Sequence, residues 1–185
     1  MQESPDRRIF QWIIDNADKI VHVNNYWLAF ARENEATELT ADTVLDQPLW
    51  RFIDGLETSY LYKQILGKVR SGKSPMKIPF RCDSPNCRRF MEMKLSLVPV
   101  DSIEFLSTIL KLEYRKPVSL LDVTTERSEE LLRICSWCKK IYLPHGQWVE
   151  IEEAIRFLDF FADAKLPKFM HTICEACHKL VVSEL

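Results

Sequence analysis

Glycine is scarce in this chain, at 4 of 185 residues, and no glycine-rich phosphate loop, no Gly-x-Ser-x-Gly elbow and no His-Glu-x-x-His pair occurs, so the commonest signatures of nucleotide and hydrolase chemistry are missing. The sequence is therefore read as a non-enzyme. No stretch approaches the roughly 18–20 apolar residues of a membrane span. The opening Met1–Arg8 has no secretory apolar run, and the expectation is a cytoplasmic protein without a membrane partner. Basic excess is also missing. Residues 1–125 carry 17 basic and 17 acidic side chains and residues 126–185 carry 8 and 10, giving the net charge of -2. Phosphate binding needs a cationic surplus, which makes nucleic acid an unfavoured partner.

What is present is core material. Apolar residues make up 46% and charged residues 28%, with 10 Phe, 5 Trp and 5 Tyr, a composition that folds rather than staying disordered. The length suits one domain of ordinary size plus a small unit that needs a staple.

Along the chain, Ile13–Val23 reads as a strand that turns at Asn24-Asn25 into Tyr26–Phe30, either as a hairpin or as the start of a helix. Short helical turns are expected around Leu45–Phe52. Tyr62, Ile65, Leu66 and Val69 fall at helical spacing and Gly72 and Pro75 stop that helix. Three strand-like runs follow, Met76–Cys82, Arg89–Val98 and Glu104–Tyr114. Pro117 breaks the last one. Residues 121–133 are expected to be a linker or a short helix capped by Thr124 or Thr125, with Glu126, Glu129 and Glu130 near its positive end. The domain joint is placed there, with one unit over residues 1–120 and a second over 134–185.

The second unit holds the most specific pattern. Cys135-x2-Cys138, 35 intervening residues and Cys174-x2-Cys177 present two pairs of thiolates, and four such ligands close a tetrahedral, structural zinc site with no open position. His171, three residues before Cys174, is an alternative ligand, and a metal-free dithiol or disulfide is a further one. His145 and His178 are read as surface or supporting residues. Between the pairs, Lys140–Leu143 and Gln147–Ile151 read as a hairpin across Pro144-His-Gly146, and Glu152–Ala164 as a helix with Ile151, Ile155, Leu158 and Ala162 on one face, ended by Leu166-Pro167. The second cysteine pair opens a last helix, Glu175–Ser183. The expected arrangement is treble-clef-like. A unit of this size has little core, and zinc supplies on the order of 10 kcal/mol towards folding it.

The blocks Asp18-Lys-Ile-Val-His-Val-Asn24, Trp50-Arg-Phe-Ile-Asp54, Arg70-Ser-Gly72, Pro79-Phe-Arg-Cys-Asp-Ser-Pro85 and Arg88-Arg-Phe-Met-Glu-Met93 make residues 13–113 resemble a PAS domain. The tail, Ile134–Ile141 with Gly146-Gln-Trp148 and His171–Cys177, is similar to the cysteine-rich segment that follows PAS domains in some bacterial sensory proteins. The resemblance implies an α+β fold with a five-stranded antiparallel sheet and helices on one face, and a sensory or signal-transduction role. In that role the PAS part senses a ligand or mediates homodimerisation, and the zinc unit docks or transmits to a protein signalling partner. Arg8–Trp12 and Leu120–Leu132 are candidate dimer contacts. Trp27, Phe30, Trp50, Phe52 and Phe80 are candidate pocket-lining residues for an unknown ligand, or plain core. Asn86-Cys87-Arg-Arg-Phe90 departs from the flavin-binding subclass in standing between strands, and His22 on a strand departs from a helical haem ligand. Cys82 and Cys87 are either two reduced thiols or a redox pair. A redox sensor that releases zinc on thiol oxidation, and a nucleic-acid-binding zinc module, are the alternative functions.

Overall fold

The computed structural model describes residues 8–158 and 165–185. Its first unit is an α+β arrangement built on β1 (Ile9–Ile14), β2 (Ile20–Val23), β3 (Met76–Arg81), β4 (Cys87–Val98) and β5 (Ser102–Tyr114), an antiparallel sheet in the order β2-β1-β5-β4-β3. Helices α1 (Asn25–Glu33), α2 (Ala41–Val44) and α3 (Leu56–Arg70) and a 3-10 turn at Leu49–Phe52 lie between β2 and β3.

The expected strand over residues 13–23 is two strands, because Asp18 at φ 60° reverses the chain between β1 and β2. The hairpin alternative after it gives way to the helical one. Asn24 caps α1, its Oδ1 accepting from Trp27 N at 2.9 Å, and its amide donates to Ile9 O at 2.8 Å, so the turn-forming residue starts a helix and pins it to β1.

One sheet face carries Phe10, Ile14, Met76, Ile78, Met91, Met93, Leu95, Ile103, Phe105 and Ile109, all buried. Strand alternation puts these side chains on one side. Leu61, Ile65, Leu66 and Val69 of α3 cover the middle of that face, and Val44 and Leu49 complete the cluster. Each fully buried aliphatic side chain here is worth about 1.5–3 kcal/mol of transfer free energy. The outer edge of β2 is closed by the following loop: Ile20 N donates to Gln47 O at 2.9 Å and Asp46 N to Ile20 O at 2.8 Å.

The second unit differs most from expectation. Within residues 121–133, expected to be a linker or a short helix, the chain instead enters strand β6 (Arg127–Cys135), which continues into a four-stranded sheet with β7 (Ile141–Tyr142), β8 (Trp148–Val149) and β9 (Leu166–Thr172) in the order β8-β7-β6-β9. Strand β9 runs parallel to β6, so a crossover must join them, and β7, β8 and α4 (Ile151–Leu158) supply it. Leu132 and Ile134 of β6 alternate inward onto Ile141, Leu143, Val149, Ile151 and Ala154, and this burial outweighs the helix-like glutamates, which point outward. Leu166-Pro167 opens a strand instead of closing a helix. Pro167 is tolerated there because β9 is an edge strand and the residue stands at its start. Ala162, assigned to one face of the earlier helix, lies outside the described residues. Helix α5 (Glu175–Glu184) opens on the second cysteine pair as expected, with Cys174 at its N-cap and Cys177 in its first turn.

Candidate metal centre

Strand β6 delivers Cys135 to the joint between the two units. The chain then turns tightly: Lys139 N donates to Cys135 O at 2.9 Å and Lys139 takes φ 61°, which swings Cys138 back over Cys135. The second pair arrives from β9. Ser136 N bonds Thr172 O at 2.8 Å, which locks the end of β9 against the turn, and Cys174 becomes the N-cap of α5, its sulfur accepting from Cys177 N at 3.4 Å. Cys174 N in turn donates to Cys135 Sγ at 3.4 Å.

The four Sγ atoms of Cys135, Cys138, Cys174 and Cys177 lie within 4.8 Å of one another, with Cys138 and Cys174 at 3.8 Å. Four sulfurs so placed can hold a metal ion. Without a cation they conflict electrostatically. Hydrogen bonds from the Cys138 and Cys177 thiols draw Cys135 far down, and that same Cys135 sulfur pushes Cys138 up to about 12 and Cys177 further still. Ionising Cys138 and Cys177 beside Cys135 requires a positive charge among them. Cys135 and Cys174 are buried, and Cys138 and Cys177 are half-buried.

The expected alternative ligand, His171, stands outside this cluster. Its Nδ1 lies 3.4 Å from Ser136 Oγ, and burial holds its pKa below the ordinary value. His145 makes an edge contact with the Phe157 ring, and His178 lines a surface cleft with Leu56 and Tyr60. Cys82 and Cys87 are both free thiols.

The cysteine site belongs to the core of the first unit. Cys135, Cys174, Trp137 and Val181 pack in the same apolar cluster as Ile65, Leu95 and Phe105. Trp137, between the first two cysteines, is 3% exposed; its Nε1 donates to Pro79 O at 2.9 Å, and its carbonyl accepts from Arg81 N at 2.8 Å. Tyr62 of α3 lies 5.3 Å from the Trp137 ring, and burial pushes its phenol up to about 12. Thr58 Oγ1 donates to Ser136 Oγ at 2.9 Å, and Glu57 accepts from Thr172 Oγ1 and from Ile173 N. Residue 55 presses so closely on His171 that an added Cβ would sit 2.5 Å from the His171 carbonyl oxygen.

An ion network forms the second joint. Arg81, 7% exposed, holds Asp83 at 2.5 Å and Glu150 at 2.8 Å. Arg115 holds Glu152 at 2.7 Å and reaches Asp83 at 3.4 Å, and Arg88 binds Glu152 and Glu113. Desolvation of Arg81 is outweighed by these carboxylates, which raise its pKa above the ordinary value.

Neither Trp137 nor this network is apparent from spacing alone. The available signals are an indole placed between two metal-type cysteines and an Arg-rich run at 81–89 facing Glu150 and Glu152. Of the five aromatics proposed to line a pocket, Phe30 lines a separate cleft, with Arg89 and Ile109, and packs 4.6 Å from Phe10. Trp27 and Phe80 pack on the apolar clusters, Trp50 donates to Asp18 at 3.1 Å, and Phe52 sits at the surface.

Among the described residues no helix is long and apolar enough to cross a membrane. No family model matches the chain, and no curated protein matches it.

Proposed function

We propose that this chain is a sensory or signal-transduction protein in which a PAS-like sensor unit is joined to a structural zinc unit that docks or transmits. The observation that carries the reading is Trp137: the segment between Cys135 and Cys138 is bonded to the edge strand of the sensor sheet, so whatever holds the cysteines also holds that edge. The five-stranded antiparallel sheet, with α3 across one face, supports the PAS resemblance. The turn at Cys135–Cys138, the β7–β8 hairpin and a helix opening on Cys174 and Cys177 support a treble-clef-like reading of the tail, with α4 and β9 inserted. Zinc is the ion the donor set favours. A tetrahedron with ~2.3 Å Zn–S bonds has edges of about 3.8 Å, which is the Cys138–Cys174 separation. Four protein ligands leave no position for a substrate, consistent with a structural role.

Native mass spectrometry with hydrogen exchange tests this. One zinc per chain is expected, and chelation is expected to expose the Arg81 amide of β3 to exchange. Full protection of that amide in metal-free protein would remove the coupling on which the reading rests.

A second reading is a redox sensor, favoured by the partial exposure of Cys138 and Cys177. Two thiolates and one peroxide, with two protons, give a disulfide and two waters, and zinc leaves with its ligands. Titrating the zinc-loaded protein with peroxide and finding metal retained at mild doses would eliminate it.

A further inference from the structure

A cleft of about 820 Å³ opens at the far end of the sensor sheet, between the C-terminal end of α1 and the segment that leaves β5. Its volume is in the range that accommodates small organic ligands. Ile109 and Leu112 of β5 make an apolar floor, and Phe30 forms one wall. Opposite stands Leu121, in the connection to β6. Nothing in the metal site or its coupling to β3 uses this space.

Arg89 sets its chemistry. It is half-buried, its guanidinium is 5.3 Å above the Phe30 ring, and its hydrogen bond to protein runs from Nη1 to the Cys82 carbonyl at 3.3 Å. Its neighbours Arg81, Arg88 and Arg115 each hold a carboxylate. Arg89 has no carboxylate partner among the described residues. A guanidinium partly withdrawn from water and set over an aromatic ring presents its remaining N–H groups as a fork suited to two oxygens.

The mouth narrows the choice of anion. Glu33, Glu35 and Asp122 stand around it, and Glu33 is paired with Arg8 at 2.7 Å. Arg8 and Asp83 also line the cleft, Arg8 paired with Glu33 and Asp83 held by Arg81 and Arg115, so Arg89 faces an otherwise carboxylate-rich lining that disfavours a multiply charged anion such as phosphate and accepts a single negative charge carried on an apolar body.

We infer that this cleft binds a small monocarboxylic acid, with its carboxylate on Arg89 and its hydrocarbon part over Ile109, Leu112 and Phe30. This deepens the sensory reading by naming a ligand class, and it rests on that reading only for the consequence of binding. A ligand seated there touches Leu121, so binding is positioned to bear on β6 and the cysteine turn.

The test is calorimetry on the full zinc-loaded chain with straight-chain monocarboxylates from propanoate to octanoate, benzoate, the matching primary amides and inorganic phosphate. The expected result is binding of at least one acid, with its amide at least about tenfold weaker and Arg89→Gln weakening the acid by a similar factor, as loss of a charge-assisted contact implies. Arg89→Lys, which keeps the charge and loses the fork, should fall between. No acid binding at millimolar concentration, equal binding of acid and amide, stronger binding of phosphate, or affinity unchanged in Arg89→Gln would each overturn the assignment. Hydrogen exchange over residues 127–135 with the bound acid separates the two proposals: binding without a change there leaves the carboxylate site standing and removes its sensory consequence.

Discussion

Trp137 Nε1 donates to the carbonyl oxygen of Pro79 at 2.9 Å, and the carbonyl of the same tryptophan accepts from Arg81 N at 2.8 Å. A residue from the cysteine turn thus pairs with the open side of β3 as a short piece of strand would. Pro79 has no N–H to offer, and it stands on an edge where none is needed. Trp137→Phe keeps most of the packing and removes one donor, and should cost about 1 kcal/mol. Trp137→Ala should cost about 3–5 kcal/mol. Urea denaturation curves check both.

Cys138→Ser replaces a half-buried thiolate with a poor ligand, and four-coordinate binding fails with three good donors. The expected outcome is loss of stoichiometric zinc together with the near-ultraviolet circular dichroism of the buried Trp137. His171→Ala, outside the cluster, should leave zinc content unchanged. Elemental analysis of both purified variants distinguishes four cysteines from a set that includes histidine.

Gly55 has φ 89°, where other residues are strained, and an added Cβ would meet backbone at 2.5 Å. Gly55→Ala should therefore destabilise by more than about 1 kcal/mol. Because the clash is with the His171 carbonyl, the loss should appear as faster amide exchange over β9, before the β1–β5 pairing opens.

The acid side of the pH profile should carry the signature of Glu152. Its burial tends to raise the carboxyl pKa, but hydrogen bonds from Arg115 and Arg88 and their charges prevail and hold it below the ordinary 4.5. A depressed carboxyl contributes stability that is complete above its unfolded value and is lost as pH falls through the lower folded one. Stability should accordingly decline below about pH 4.5, and Glu152→Gln should flatten that decline while lowering stability at neutral pH. Thermal melts between pH 3 and 7 provide the comparison.

The parts of the fold with strong periodicity were legible in advance. Ile65, Leu66 and Val69 mark α3, and the three runs after Pro75 are β3, β4 and β5. The four cysteines were legible because two-residue spacing is a geometric requirement of a shared ion. Strand β6 was not, since Ser128-Glu-Glu130 has helix-like charges and its pairing partner, β9, lies across a crossover of some 30 residues. Local sequence cannot show such a partner. The same limit hid Arg81, whose ion partner Glu150 is 69 positions away, and Trp137, whose acceptor belongs to a different sheet.

Both margins of the five-stranded sheet are occupied, β2 by the backbone of Asp46 and Gln47 and β3 by Trp137. An uncovered strand edge is a template for further strands, from a neighbour or from a copy of itself. This sheet is finite only while the cysteine turn stays in place. Stripping the ion would turn one capped margin into an adhesive one, so the metal-free protein should fail first by self-association, with turbidity rising with protein concentration before the helices are lost.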